Sequence, residues 1–487
     1  MKSLSMRKKS GKGVKITPVD KKMVIKKVEI AVADSSSKDG NSRNKVYPFF
    51  NVSVEKKEND QFPEKSFIKH NLQLEKRIDF KRGNSVESPN PESFANAIGL
   101  VLLFSQFFGL LPISGIKSNL PEKFKFMRTS PRTIYTYIVI IGSLIMSLIC
   151  LVHMVKTLNT SSFKVHGGIS DATVGAVFYG NSLFGTILFL NLSPGWISLQ
   201  QDWRAMEEFI DKGKGERPKL RCKFSLITAS IFIPALIEHI LSVVSNTPPE
   251  IWGNSTFDKF LQIYTIKSHP FLVKNVPYNF TLGLYTFVLS RIATFTWNFT
   301  DAFIMLVSTG LAERYKQLNK IISNNTSGTF TPDEWKQLRE YYAILSTLVK
   351  KVDQKISSII FLSFVNNLYF ICLQLLNGLS LPDDGRIVSV IYFFGSFFFL
   401  IGRTVAVTLL AARIHDQSKI ALPYLYNCPP STFTGEAQRL QVQLTTDEVA
   451  LTGLRFFSIT RNFMLAVAGA IVTYEVVLLQ FNMALQK

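Results

Sequence analysis

The chain has 487 residues, 47% of them hydrophobic and only 18% charged, with 40 Phe, a mean hydropathy of +0.17 and a net charge of +20. A soluble domain carries about 25% charged residues, so a single ordinary core does not account for this composition. The basic residues flank apolar runs and no zinc or RNA-binding spacing joins them, so the charge reads as basic cytosolic loops and nucleic acid is not expected as a partner.

In chain order, residues 1–93 form a basic, largely flexible cytosolic region, with no apolar run after the first basic residues and therefore no cleavable signal peptide. Eight apolar segments follow, near 95–115, 133–156, 172–194, 223–246, 278–310, 356–378, 386–411 and 462–482. Most can span a roughly 30 Å hydrocarbon layer as a helix. The stretch Met1 to Lys27 has ten Lys or Arg against Asp20 alone, and Lys117 to Arg132 has five against Glu122. Both read as cytosolic, which requires that the first segment does not cross. Gly99, Gly109 and Pro112 interrupt it, so 94–116 reads as a re-entrant or interfacial helix.

Seven crossings remain, giving an all-α polytopic membrane protein with an intracellular N-terminus and an extracellular C-terminus. Sequons at Asn159 and Asn254 fall on expected outer loops, marking a glycoprotein; those at Asn324 and Asn325 fall inside. The loops 195–222, 311–355 and 412–461 are expected in the cytosol, the last as an anchor region before the seventh helix at 462–482, with a six-helix sensing bundle over 133–411 that carries cytosolic helical extensions. Thr331 precedes Glu334 as in a capped helix start, and Leu338, Tyr341, Tyr342, Leu345 and Leu348 recur at helical spacing. That stripe either packs on its own subunit or binds a partner.

The final helix carries "TYEVVLLQF" at 473–481, where Thr473, Val477 and Gln480 share one face and Phe481 is rotated by about 100 degrees. Glu475 is offset from Gln480 by about 140 degrees and is expected to pair at a subunit boundary rather than face an axis. The Thr-Tyr, five-residue gap, Gln-Phe endpiece resembles the signature of insect gustatory receptors. The stretches 97–116, 294–319, 363–379 and 453–482 resemble their sugar-receptor branch rather than the bitter or carbon dioxide branches. The long basic N-terminus departs from that pattern.

The resemblance implies a ligand-gated nonselective cation channel in the plasma membrane of chemosensory cells, passing monovalent and divalent cations. It further implies a homotetramer, or a heterotetramer with related subunits, each giving its last helix to one central pore. Thr473, Val477, Gln480 and Phe481 would then line or gate the path, Gln480 hydrating a cation and Phe481 closing by dewetting.

A sugar needs carboxylates or amides for its hydroxyls and rings for its C–H faces. The expected outer helical halves supply Tyr179, Asn181, Glu238, His239, Tyr285, Asn366, Asn367, Tyr369 and Gln374, with Glu238 first among them. Each of these side chains could instead be a structural polar contact. Trp297, Asn298 and Asp301 form either a pocket floor or a brace, and Arg403 either supports the inner bundle or pairs with Asp301. No phosphate loop, metal spacing or His–acid cluster supports an enzyme. A secondary sugar transporter and a metabotropic seven-helix receptor are the competing classes. The missing internal repeat counts against the first and the terminus orientation against the second.

Overall fold

The computed structural model describes residues 91–118, 120–159, 168–212, 216–247, 256–273, 276–324, 330–378 and 387–485. Most of the expected 1–93 region, the sequon residues Asn254 and Asn325, and the side chains of Asn159, Glu475 and Phe481 lie outside them.

The described residues form a helical bundle. Its helices are α1 (Phe94–Ser105), α2 (Pro131–Asn159), α3 (Gly168–Asp211), α4 (Leu220–Asn246), α5 (Phe257–Ser268), α6 (Pro270–Val273), α7 (Phe280–Ser323), α8 (Pro332–Gly378), α9 (Ile387–Lys419), α10 (Leu422–Tyr426), α11 (Gly435–Thr446) and α12 (Arg461–Leu485). A two-stranded antiparallel ribbon, β1 (Thr452–Gly453) with β2 (Phe457–Ser458), precedes α12.

The helix starts follow local chemistry. Ser130 Oγ accepts from Thr133 N at 3.3 Å ahead of Pro131, whose missing N–H costs nothing in a first turn. Asn279 Oδ1 accepts from Leu282 N at 2.7 Å and opens α7. At α8 the Glu334 carboxylate accepts from Thr331 N at 2.9 Å while Glu334 N donates to Thr331 Oγ1 at 3.3 Å, the reciprocal pair expected of that sequence.

Helix α1 has 12 residues, so it rises only about 18 Å and falls short of the hydrocarbon thickness. One face is buried, Phe94 stacking on Trp203 at 3.7 Å, while Leu100 and Phe107 stay exposed on the other. Gly310 permits this approach, since a Cβ there would sit 2.7 Å from the Phe94 ring. The chain then turns at Gly115 (φ 89°), where a Cβ would meet the Lys123 carbonyl at 2.1 Å beside the Ser114–Lys125 bridge.

Five described helices are long and apolar enough to cross a membrane: α2, α3, α4, α8 and α9. Helix α12, expected as a crossing, lies outside that set, and so does the other expected crossing, α7. Helix α7 is the central element, carrying Arg291, Asn298 and Asp301 and burying most of its surface in protein rather than facing lipid. Helix α12 is 25 residues long, about 37 Å, which suffices for a span.

The expected loops 195–222 and 311–355 are largely helix. With 44, 44 and 47 residues, α3, α7 and α8 run for about 66–70 Å, twice the hydrocarbon thickness, and α3 continues through Pro194. Their extensions form the densest core, with Trp203, Tyr315, Leu338, Tyr342, Leu345 and Leu440 buried together. The whole predicted stripe Leu338, Tyr341, Tyr342, Leu345 and Leu348 is buried there, so it packs on its own subunit.

Charge is placed inside this core only where it is paired. Arg314, 1% exposed, reaches Glu207 and Asp211 at 2.7 Å each, and Glu313 takes Lys223 at 2.5 Å and Arg413 at 2.7 Å. Asp353 anchors the ribbon by accepting from Thr452 N at 2.6 Å.

Candidate ligand site and pore helix

The polar residues expected in the outer half fall into linked groups. Glu238 on α4 accepts from Ser396 Oγ on α9 at 3.0 Å, and Ser396 Oγ accepts from Gln374 Nε2 on α8 at 3.1 Å. Two predicted residues on different helices thus meet through a third that the sequence did not single out. Ser396 is the lone hydroxyl in "FFGSFFFL", and that isolation was the available signal. Gln374 Oε1 and both side-chain polar atoms of buried Asn366 have no hydrogen-bond partner among the described residues, and neither has His239 Nε2. Unsatisfied buried groups are costly and mark places where a water or a ligand hydroxyl belongs.

A second group lies deeper. Arg403 Nε stands 2.8 Å from Asp301 Oδ2, Ser363 Oγ donates to Asp301 Oδ1 at 2.5 Å, and Asn367 Nδ2 donates to Asp301 Oδ2 at 3.0 Å. Asn367 Oδ1 accepts from Trp297 Nε1 at 2.7 Å, and Arg403 Nη1 donates to Asn298 Oδ1. The Arg403 guanidinium also lies 4.6 Å from the Trp297 ring centroid, a cation–π contact, and within electrostatic range of Glu238. These groups bind one another and form a brace, with the Trp297 ring packed against Phe370 at 4.5 Å.

The remaining candidates are dispersed. Tyr179 hydrogen-bonds His269 Nε2 at 2.6 Å, and His269 Nδ1 meets Ser268 Oγ at 2.7 Å, both partners lying at the end of α5. Sequence reasoning missed α5 entirely. Tyr369 pairs with Thr173 Oγ1 at 2.6 Å, and Asn181 is buried on α3. Tyr285 donates to the Gly142 carbonyl of α2 at 2.6 Å, which commits its hydroxyl away from Glu238.

On α12, Thr473 is exposed and donates to the Gly469 carbonyl at 2.8 Å; Val477 and Gln480 are exposed as well. The N-terminal end of α12 is fixed by Phe463, which stacks on Phe457 at 4.4 Å and meets Phe364 edge-on at 5.3 Å.

Residues 62–487 match the family described as trehalose receptor. "Gustatory receptor for sugar taste 64f" of Drosophila melanogaster is 35% identical over 394 residues, 80% of this chain and 81% of that one. This chain belongs to the insect gustatory receptors, in their sugar-taste branch. A second relative of this gustatory receptor, "Gustatory receptor 5a for trehalose" of the same fly, is 31% identical over 408 residues, 82% of this chain and 88% of the relative.

The bundle also superposes on the insect olfactory receptor OR5 from Machilis hrabei, solved in complex with eugenol. The TM-score is 0.60 at 16% identity, over 84% of this chain and 99% of that one. This likeness shows a shared fold: an all-α, multi-pass membrane bundle. Membership sets this gustatory receptor among chemosensory receptors rather than enzymes.

Proposed function

We propose that the chain is one subunit of a sugar-gated nonselective cation channel acting as a sweet-taste receptor in the plasma membrane of chemosensory cells. The observation that carries this reading is the uncovered last helix. Leu465 and Val472 of α12 are 68% and 62% exposed, and Gln480 is exposed beside them, although the same helix carries the polar seam. A helix with apolar and polar sides both left open suits a position between subunits around an axis, where neighbours cover one side and water the other.

In this reading the N-terminus is intracellular, α1 does not cross, and seven helices do: α2, α3, α4, α7, α8, α9 and α12. The subunits form a homotetramer, or a heterotetramer with related receptors. Sugar enters the outer bundle, displaces the Ser396 contacts of Glu238 and Gln374, and meets the open polar atoms of Asn366 and His239, above the Arg403–Asp301 brace. The supporting chemistry is the set of open donors and acceptors there, together with the sugar-taste relatives.

Purified protein in planar bilayers, exposed to a panel of neutral mono- and disaccharides, tests the reading. A cation current evoked by at least one sugar is expected. Absence of current both alone and with a related sugar-receptor subunit sinks the channel assignment; substrate flux without current would instead indicate a transporter.

A further inference from the structure

A cavity of about 420 Å3 lies between α12 and the wall formed by α8 and α9, with Ile371, Phe397, Thr404, Thr408, Met464 and Val476 among its lining. Its size falls within the range of ordinary ligand pockets, yet its chemistry is the opposite of a sugar site. The only hydroxyls in the lining belong to Thr404 and Thr408, and each donates to a carbonyl of its own helix four residues back, at 2.8 Å. Neither is left to recognise a polar ligand, and no charged residue lines the cavity.

The shape narrows the occupant further. Along α12 the lining runs from Met464 to Val476, roughly 18 Å of helix at 1.5 Å per residue. A helix with its side chains is about 10–12 Å across and over that length would fill about 1,400–2,000 Å3, so a helix from a second copy does not enter. Packed hydrocarbon groups sit roughly 4 Å apart, so one extended chain needs a section of about 20 Å2. The rim is apolar and open: Val405, Val472 and Val476 are 36%, 62% and 47% exposed.

We propose that this slot binds one acyl chain of a membrane phospholipid, which enters sideways from the bilayer and stands behind the helix that carries Thr473 and Gln480. Binding follows from the lining and the shape and does not depend on α12 forming a pore, so failure of the channel reading leaves it standing.

The full chain, reconstituted with dioleoylphosphatidylcholine, re-extracted in delipidating detergent and examined by native mass spectrometry, tests the assignment. The unsubstituted protein is expected to retain about one phospholipid per subunit. Ala468→Phe, which places a ring in the slot from α12, is expected to lower retention at least fivefold, whereas Ala466→Phe on the exposed side, about 160 degrees around the helix, leaves it unchanged. Thr408→Met fills the slot from the opposite wall and serves if Ala468→Phe does not fold. Equal retention in the slot-filling and exposed-side variants overturns the proposal. So does an unsubstituted protein that carries no lipid, or only a free fatty acid.

Discussion

Arg403 on α9 and Asp301 on α7 meet at 2.8 Å with side chains 3% and 0% exposed, and Ser363 and Asn367 of α8 supply the further hydrogen bonds that the carboxylate needs. Three helices are thus tied at one buried point. Removing one partner leaves an uncompensated charge and costs about 3–5 kcal/mol, whereas replacing both with apolar groups of similar volume is close to neutral. Asp301→Ala is therefore expected to lower the thermal unfolding temperature in detergent sharply and to abolish surface delivery. Asp301→Leu combined with Arg403→Met should recover most of the stability, as measured by tryptophan fluorescence on heating. A double variant as unstable as Asp301→Ala would show that the ion pair itself, rather than its being left half-broken, matters.

The Thr331–Glu334 capping box predicts a smaller loss. Thr331→Ala removes the acceptor for Glu334 N, worth about 0.5–2 kcal/mol. Because Trp335, Leu338 and Tyr342 are buried just beyond it, hydrogen exchange in the first turns of α8 should rise while the exchange in the outer half of α8 is unaltered. Unchanged exchange in the first turns of α8 would mean that the cap is redundant.

These two sites differ in how far the sequence disclosed them. The capping box and the Leu338–Leu348 stripe are local patterns with fixed spacing, and they were legible. Arg403 was only half legible: a lone charge in an apolar segment needs a partner, but the sequence left it between Asp301 and a support of the inner bundle. Helical extensions of the bundle were expected, but their extent in α3 and α7 was not, because 195–211 and 311–323 carry charges that read as loop. Those charges turn out to be paired, as in Arg314 with Glu207 and Asp211. Helix α5 escaped notice because its 12 residues are too few for a span, although Phe257, Phe260, Leu261 and Tyr264 recur at helical spacing, and its role emerges only where His269 meets Tyr179. Tertiary pairing, not local propensity, decides these elements.

Glu238 has one described hydrogen bond, from Ser396, and its carboxylate has capacity for more. Glu238→Gln keeps the size, removes the charge and loses one acceptor. A charge-assisted hydrogen bond is worth about 1.5–3 kcal/mol, so the half-maximal sugar concentration should rise roughly tenfold or more with normal surface delivery. Unchanged dose–response curves for every active sugar would remove Glu238 from the site.

Orientation can be read on intact cells. Epitope tags at the N-terminus and between Lys117 and Arg132 are expected to stay hidden until the membrane is permeabilised, and a tag after Lys487 to be stained without permeabilisation. The basis is the basic stretch on each side of α1, which rises only about 18 Å. External staining at either of the first two sites would overturn the seven-crossing arrangement.

The last helix offers the sharpest contrast, because neighbouring residues have opposite chemistry. Gln480 is exposed on α12, while Phe481 follows it one position on, about 100 degrees around the helix. With four subunits around an axis, Gln480→Ala deletes four carboxamides from the conduction path. Single-channel conductance or cation selectivity should change, with little change in sugar sensitivity. Phe481→Ala instead removes four bulky apolar groups, and a wider, less apolar constriction wets more readily. Current without sugar should rise, and only about 1.4 kcal/mol of bias suffices to increase a rare open population tenfold. Recordings from purified variants in bilayers exclude endogenous channels and signalling enzymes. If conductance, selectivity and unliganded open probability are the same in both variants as in the unsubstituted receptor, the seam of Thr473, Val477 and Gln480 is packing, and the path for ions lies elsewhere. If the two substitutions produce the same change, Gln480 and Phe481 act as one steric plug, and the division between a hydrating face and a dewetting face is wrong.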